Sequence, residues 1–143
     1  IILPDCGVKN AGGNGLYAFR GSTIIADGVN VDNAGKHGIH ANRVSVIDAH
    51  GASARNAGEV GVYSYAGSII NANEVDARGG GTRGIDASRL GIIQAQDSNT
   101  RMGSSDSSSD IYVGYAGIIN ARNATGRTSQ NKNVITNSGI IFG

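Results

Sequence analysis

The chain has no tryptophan, and only one proline, one cysteine, one methionine and two phenylalanines among its 143 residues. With so little proline, and with 23 glycines that follow no Gly-X-Y period, collagen is excluded. The lone Cys6 excludes an internal disulfide framework and a cysteine metal site. No apolar run approaches the length needed to cross a membrane, so membrane insertion is not expected, and the first residues do not have the pattern of a signal peptide. A net charge of +1 leaves no nucleic-acid footprint and no steering toward acidic membranes. The 39% hydrophobic content is spread evenly and recurs in register, which argues against disorder. The missing initiator methionine and a start in mid-repeat lead us to expect a fragment of a longer chain.

What the chain has is a beat. Gly15, Gly38, Gly61 and Gly84 stand 23 residues apart, and each opens a near-copy of one phrase: GLYAFRGSTIIADGVNVDNAGKH, GIHANRVSVIDAHGASARNAGEV, GVYSYAGSIINANEVDARGGGTR, GIDASRLGIIQAQDSNTRMG. A fifth copy, DIYVGYAGIINARNATG, starts three residues late at Asp110. Such a period means a quasi-one-dimensional architecture. The second column reads Leu16, Ile39, Val62, Ile85, Ile111, and the fourth Ala18, Ala41, Ser64, Ala87, Val113. The tenth is always isoleucine, from Ile24 to Ile119, and the twelfth always alanine, from Ala26 to Ala121. A third pair runs from Val29 and Val31 in the first copy to Ala124 and Gly126 in the fifth. Each pair has strand spacing with one face buried. Between the pairs lie Gly, Asn, Asp and Ser, which tolerate corners. The expected fold is all-β: a parallel β-solenoid with three short strands per 23-residue coil. Cys6 shares a column with Val29 and Ala52, so it is expected to be a small buried hydrophobe.

Two windings fit this period. One chain can stack on itself, rising about 4.8 Å per turn, or three chains can wind together, each climbing roughly 14 Å per turn. Alanine fills 12 of the 30 inward positions, which suits a narrow prism where side chains meet their symmetry mates. The inward columns thus favour an intertwined triple-stranded β-helix homotrimer over the single-chain stack without excluding the latter, with coils over residues 1–126 and a cap over 127–143. Val134, Ile135, Ile140, Ile141 and Phe142 are the capping candidates, and the Ser-rich run Gly103–Ser109 is expected to be a surface excursion.

The Gly61–Ala72 phrase and its sister turns resemble the stalk repeats of bacteriophage tailspikes, closest to those of capsule-degrading coliphages such as endosialidases and capsule lyases. The stretches GSSDSSSD (Gly103–Asp110), GIINARNATG (Gly117–Gly126) and SQNKNVITNSGIIFG (Ser129–Gly143) are similar to the carboxyl-terminal ends of such proteins. The resemblance covers nearly the whole chain. It implies a homotrimeric β-helix stalk on the virion, acting at the bacterial surface, with host capsular polysaccharide as partner. It also implies an upstream depolymerase domain, of lyase or glycosidase type, outside this sequence.

The third column, Tyr17, His40, Tyr63, Asp86 and Tyr112, is expected to face outward, with Arg20, Arg43 and Arg89 beside it and Phe19 and Tyr65 next to them. Rings stack on pyranose faces and guanidinium groups take uronate or sialate carboxylates in bidentate fashion, so Tyr17, Arg20, His40, Arg43, Tyr63, Tyr65 and Arg89 are the candidate carbohydrate-binding residues. The same pattern also fits a plain strand face stiffened by tyrosine and covered by arginine stems. No catalytic residue, metal ligand or cofactor is assigned. His40 and His50 fall on different faces, and a His37–His40 pair has no carboxylate beside it in the repeat. Asp48, Glu74 and Asp76 read as solvated or corner acids rather than a glycosidase pair. A lyase would need a Tyr or His base with an Arg, types that Tyr17 with Arg20 and His40 with Arg43 supply. Gly79–Gly81 lacks the Lys-Ser/Thr ending of a phosphate loop and the aspartate of a calcium nonapeptide, and reads as a tight corner. The functional expectation is a structural trimerisation stalk with a polysaccharide-binding face. The alternatives are a single-chain right-handed β-helix lyase or hydrolase acting on polysaccharide, and the head of a bacterial adhesin.

Overall fold

A computed structural model of the chain describes residues 1–2, 6–101, 109–125, 133–135 and 139–142. The strands are β1 (Leu16–Phe19), β2 (Thr23–Ile25), β3 (Ile39–Asn42), β4 (Val46–Asp48), β5 (Val60–Tyr65), β6 (Ile69–Asn71), β7 (Arg83–Ser88), β8 (Ile92–Gln94), β9 (Ser109–Gly114), β10 (Ile118–Asn120), β11 (Asn133–Ile135) and β12 (Ile140–Phe142). Odd-numbered strands form one six-stranded parallel sheet and even-numbered strands the other. Among the described residues there is no helix.

Each strand pairs with its equivalent in the next turn of the same chain. Leu16 lies opposite Ile39 and Ile24 opposite Ile47, both steps of one 23-residue period. The product is a parallel β-solenoid of about five turns, rising one strand spacing, about 4.8 Å, per turn. The late fifth copy re-enters in register: Ile85 faces Ile111, so the extra residues fall between Asn99 and Ser109, where the Ser-rich run lies mostly outside the described residues.

Inward columns form the core that their periodicity predicts. Ile39, Ile47, Ile70, Ile85, Ile93 and Ile119 are fully buried, and the alanine column from Ala26 to Ala95 is equally closed to solvent. Where a polar residue enters the stack, its hydroxyl finds a backbone carbonyl. Ser64 Oγ donates to the Ser68 carbonyl at 2.7 Å, and Ser98 Oγ to the Ala95 carbonyl at 2.7 Å. A buried hydroxyl without such a partner is costly.

The third face differs from expectation. Its inward residues Val29, Val31, Ala52 and Ala54 are buried, yet its pairing shrinks to single bridges, Asn30 to Ser53 to Asp76 to Asn99 to Thr125. Left-handed residues close on both sides, Gly28 (φ 65°) and Asn33 (φ 59°), bend the chain out of the ladder before a longer strand can form. The four beat glycines also have a different reason from the corner role their spacing suggests. A Cβ on Gly38 would lie 2.6 Å from the Ala54 Cβ and 2.7 Å from the Gly61 carbonyl oxygen, and one on Gly61 would crowd Ala77 and Gly84 in the same way. They are needed for close approach between the third face and the start of the first sheet, not for a left-handed backbone.

Cys6, expected to be buried, is exposed. Its backbone still joins the stack, the Cys6 carbonyl accepting from the Asn30 N–H at 3.0 Å. Within 127–143, β11 and β12 each add a rung: Asn133 pairs with Ile111 and Ile140 with Ile118, each a 22-residue step. The columns therefore resume beyond Gly126 after a turn one residue short. Ile141 packs against the core while Ile140 and Phe142 face solvent.

Candidate functional site

The outer face of the odd-numbered sheet gathers the sequence-predicted residues. Parallel in-register pairing puts Tyr17 beside His40, His40 beside Tyr63, Tyr63 beside Asp86 and Asp86 beside Tyr112. The rings stack along the solenoid axis. Tyr17 and His40 have centroids 4.8 Å apart at 35°, and His40 and Tyr63 4.8 Å apart at 19°. Phe19 and Tyr65 flank the column at 5.7 Å from Tyr17 and 5.6 Å from Tyr63. The guanidinium groups of Arg20 and Arg43 lie 4.9 and 5.0 Å from the Phe19 centroid, and that of Arg89 lies 5.3 Å from Tyr65. All seven candidates thus share one sheet face and its adjoining corner.

The stack alters what the face can do. Interior rings spend their faces on one another, so pyranose stacking on them is blocked. Tyr17, 42% exposed, is the open ring, whereas His40 is only 8% exposed, which corrects its expected place at the surface. Rings on both sides and His37, edge-on at 4.8 Å, bury it. Both His40 ring nitrogens, His37 Nδ1 and Asn42 Oδ1 are buried without a hydrogen-bond partner. Burial, helped by the neighbouring His37, pushes the His40 pKa down to about 4, so the ring is neutral at pH 7. Burial likewise lowers His37, opposed by Glu59 and Asp86. The Glu59 carboxylate stands 3.5 Å from His37 Nε2, so the adjacent coil supplies a carboxylate that the repeat columns do not show.

Asp86, 1% exposed, sits next along the column. Burial raises its pKa, although the Ser88 hydroxyl donates to it at 2.5 Å and Arg83 pairs with it. Arg83 also covers the Tyr112 ring at 3.6 Å. Burial pushes the Tyr63 phenol up, with Asp86 and Tyr65 adding to it. A buried imidazole with a lowered pKa and a phenol with a raised one are both poor general bases at pH 7. The other acids are engaged: Asp48 accepts from Asn71 Nδ2 at 2.8 Å, and Glu74 stands 3.5 Å from His50. Among the described residues no three His, Cys, Asp or Glu side chains form a metal-holding group.

A second cluster was missed by reading only the conspicuous aromatic column. One residue after the inward third-face column runs Lys9, Asp32, Arg55, Arg78, Arg101, again at 23-residue steps. They line a groove of about 660 Å³ together with Asn33, Asn56 and Gly79. Arg55 donates from Nε (3.0 Å) and Nη2 (2.7 Å) to Asp32, whose carboxylate also accepts from the Ser53 hydroxyl at 2.6 Å. Burial works against the Asp32 carboxylate, but these bonds outweigh it and hold its pKa below the usual value. Arg78 grips Asp76 from Nε at 2.8 Å and Nη2 at 2.7 Å. The signal for this cluster was present in the sequence as a basic column at the repeat period.

No protein-family model, curated protein or solved structure matches this chain.

Proposed function

We propose that the chain is a structural stalk segment of a bacteriophage tailspike, a homotrimer carried on the virion, whose Tyr/Arg face touches host capsular polysaccharide. The observation that carries this reading is the turn-on-turn stack with its continuous Ile/Ala core, a fold whose repeated pairing makes a stiff rod rather than a cleft. The resemblance of the repeats supports the tailspike source, and a depolymerase elsewhere in the parent protein belongs to the same reading. Tyr17, Tyr65, Arg20, Arg43 and Arg89 offer ring edges, hydroxyls and guanidinium donors to an acidic glycan, while His40 and Tyr63 hold the face in shape. The finer form of the proposal winds three chains into a triple-stranded β-helix, supported by the small inward residues that suit a narrow axis.

One observation favours a second reading, a single-chain β-helix that cleaves polysaccharide as a lyase or hydrolase: every strand pairs with the next turn of its own chain. Solution mass by light scattering separates the two. A species of about three times 14.5 kDa is expected, and a monomer removes the trimer. Release of reducing ends or unsaturated sugars from capsule preparations by this segment would move the assignment to an enzyme. Capsule binding that survives Tyr65→Ala combined with Arg43→Gln would remove the glycan face.

A further inference from the structure

The outer face of the even-numbered sheet carries an apolar strip along its whole length. Its first outward column runs Thr23, Val46, Ile69, Ile92, Ile118 and Ile140, one β-branched side chain per rung. Val46, Ile69 and Ile140 are exposed, and Ile92 and Ile118 are half-buried. Leu90, at the adjoining corner, is exposed too, and it holds a left-handed backbone (φ 64°) that disfavours a bulky side chain. Nothing within the coil offsets that strain. A long exposed apolar strip marks an interaction surface. With six rungs, the face is about 24 Å long and about 20 Å wide between its edges. Two copies would bury on the order of 1,000 Å² together, the lower bound for a specific interface.

Charge is ordered across this strip. One edge carries Arg20, Arg43 and Arg89, on the first, second and fourth coils, and the other carries Asp27, Asp48 and Asp97 on the same three coils. The third coil has Ala66 on the first edge, and its acid, Glu74, is met by His50 at 3.5 Å. The fifth has Tyr115 and Arg122, and no acid there. Arg20, Arg43, Arg89 and Asp27 make no ion pair among the described residues. Asp48 and Asp97 are met by side-chain amides, Asn71 Nδ2 at 2.8 Å and Asn123 Nδ2 at 3.0 Å. An axis parallel to the rod, two-fold or three-fold, sets the arginine edge of one copy against the aspartate edge of its neighbour, coil for coil. Antiparallel rods would set arginine against arginine, which complementarity forbids. We infer that the even-numbered sheet is a docking surface for a second copy of this chain, laid parallel, with the apolar column turned toward the shared axis. The contact joins coils that are each closed on their own chain. It therefore goes beyond the proposed reading, in which three chains wind through one another, and rests on that reading only for the chain being an oligomer.

Light scattering across a concentration series, with circular dichroism to check the coil, tests this. The wild type should be an oligomer that dissociates on dilution. Val46→Thr with Ile69→Thr keeps a β-branched residue on each rung, as Thr23 does, and should weaken association at least about tenfold. Arg20→Glu with Arg43→Glu should do the same, and so should Asp27→Arg with Asp48→Arg. All four charge changes in one chain restore opposite signs across the boundary, and association should return to within about threefold of wild type. Unchanged mass in the threonine and charge variants overturns this surface and leaves wound chains standing. Failure of the four-fold charge variant to associate, with its β spectrum intact, overturns the parallel arrangement and the inference with it. A wild type that stays monomeric at millimolar concentration overturns both this surface and the homotrimer.

Discussion

His40 shows how one side chain can link a surface to pH. Its ring completes a stack between Tyr17 and Tyr63 while both nitrogens stay buried and unsatisfied. The folded pKa of about 4 lies below the unfolded value of 6.5, so between those limits the unfolded chain binds a proton that the native ring refuses. Stability is therefore full above pH 6.5 and falls as pH drops toward 4, by on the order of 3 kcal/mol from this residue. His40→Phe keeps the ring stack and removes the orphaned nitrogens. Chemical denaturation from pH 4 to pH 7 should show the variant more stable at every pH, with a flatter profile. An unchanged slope would place the pH dependence elsewhere. Val44 makes a second residue-scale case. It holds φ at 60° in a column where Gly21 and Gly67 stand at 74° and 73°, and its side chain is 71% exposed. β-Branched side chains are strained there, and no burial compensates. Val44→Gly should raise stability by roughly 1 kcal/mol, relief of strain exceeding the added chain entropy; a lower melting temperature would contradict this.

At the scale of strands and corners, the beat glycines and the corner glycines obey different constraints, and substitution separates them. Gly21 is left-handed with open space around its missing Cβ, whereas Gly38 meets the Ala54 side chain and the Gly61 carbonyl. Gly21→Ala should cost about 1 kcal/mol of backbone strain. Gly38→Ala forces two rungs apart and should cost more, about 1–3 kcal/mol, with loss of protection at the neighbouring amides in hydrogen exchange. Equal costs would mean that both glycines serve only the backbone. The same contrast explains what could be read in advance. The inward columns were legible because a ladder of Ile47, Ile70 and Ile93 repeats with one spacing and one chemistry. The glycine beat was legible as a beat, but its cause was not, since the group it avoids sits on another face of the coil. The burial of His40 and the Glu59 carboxylate beside His37 were hidden for a related reason: each is made by packing between coils and around a corner. The resumption of the columns at Asn133 was concealed by a single missing residue in the turn before it.

For the whole molecule, the unit of stability is the turn. Rung-to-rung steps measure 23 residues through most of the stack, 26 between Ile85 and Ile111, and 22 between Ile118 and Ile140. Corners therefore absorb a few residues in either direction, while each sheet must receive one strand per coil. Removing residues 38–60 joins His37 to Gly61 and deletes one complete turn. Leu16 then meets Val62, Ile24 meets Ile70 and Asn30 meets Asp76, each pair matching in its column. Removing only residues 38–49 deletes β3 and β4 but keeps the third-face segment, so one coil would offer that face twice and neither sheet once. A solenoid cannot bridge such a gap, because every strand depends on its immediate neighbours. The full-turn deletion should keep the β spectrum and a cooperative melt at a lower temperature. The half-turn deletion, although it removes fewer residues, should lose cooperativity and become protease-sensitive. If the shorter deletion proved the more stable of the two, stability would follow chain length rather than turns, and the nearest-neighbour account of this rod would fail.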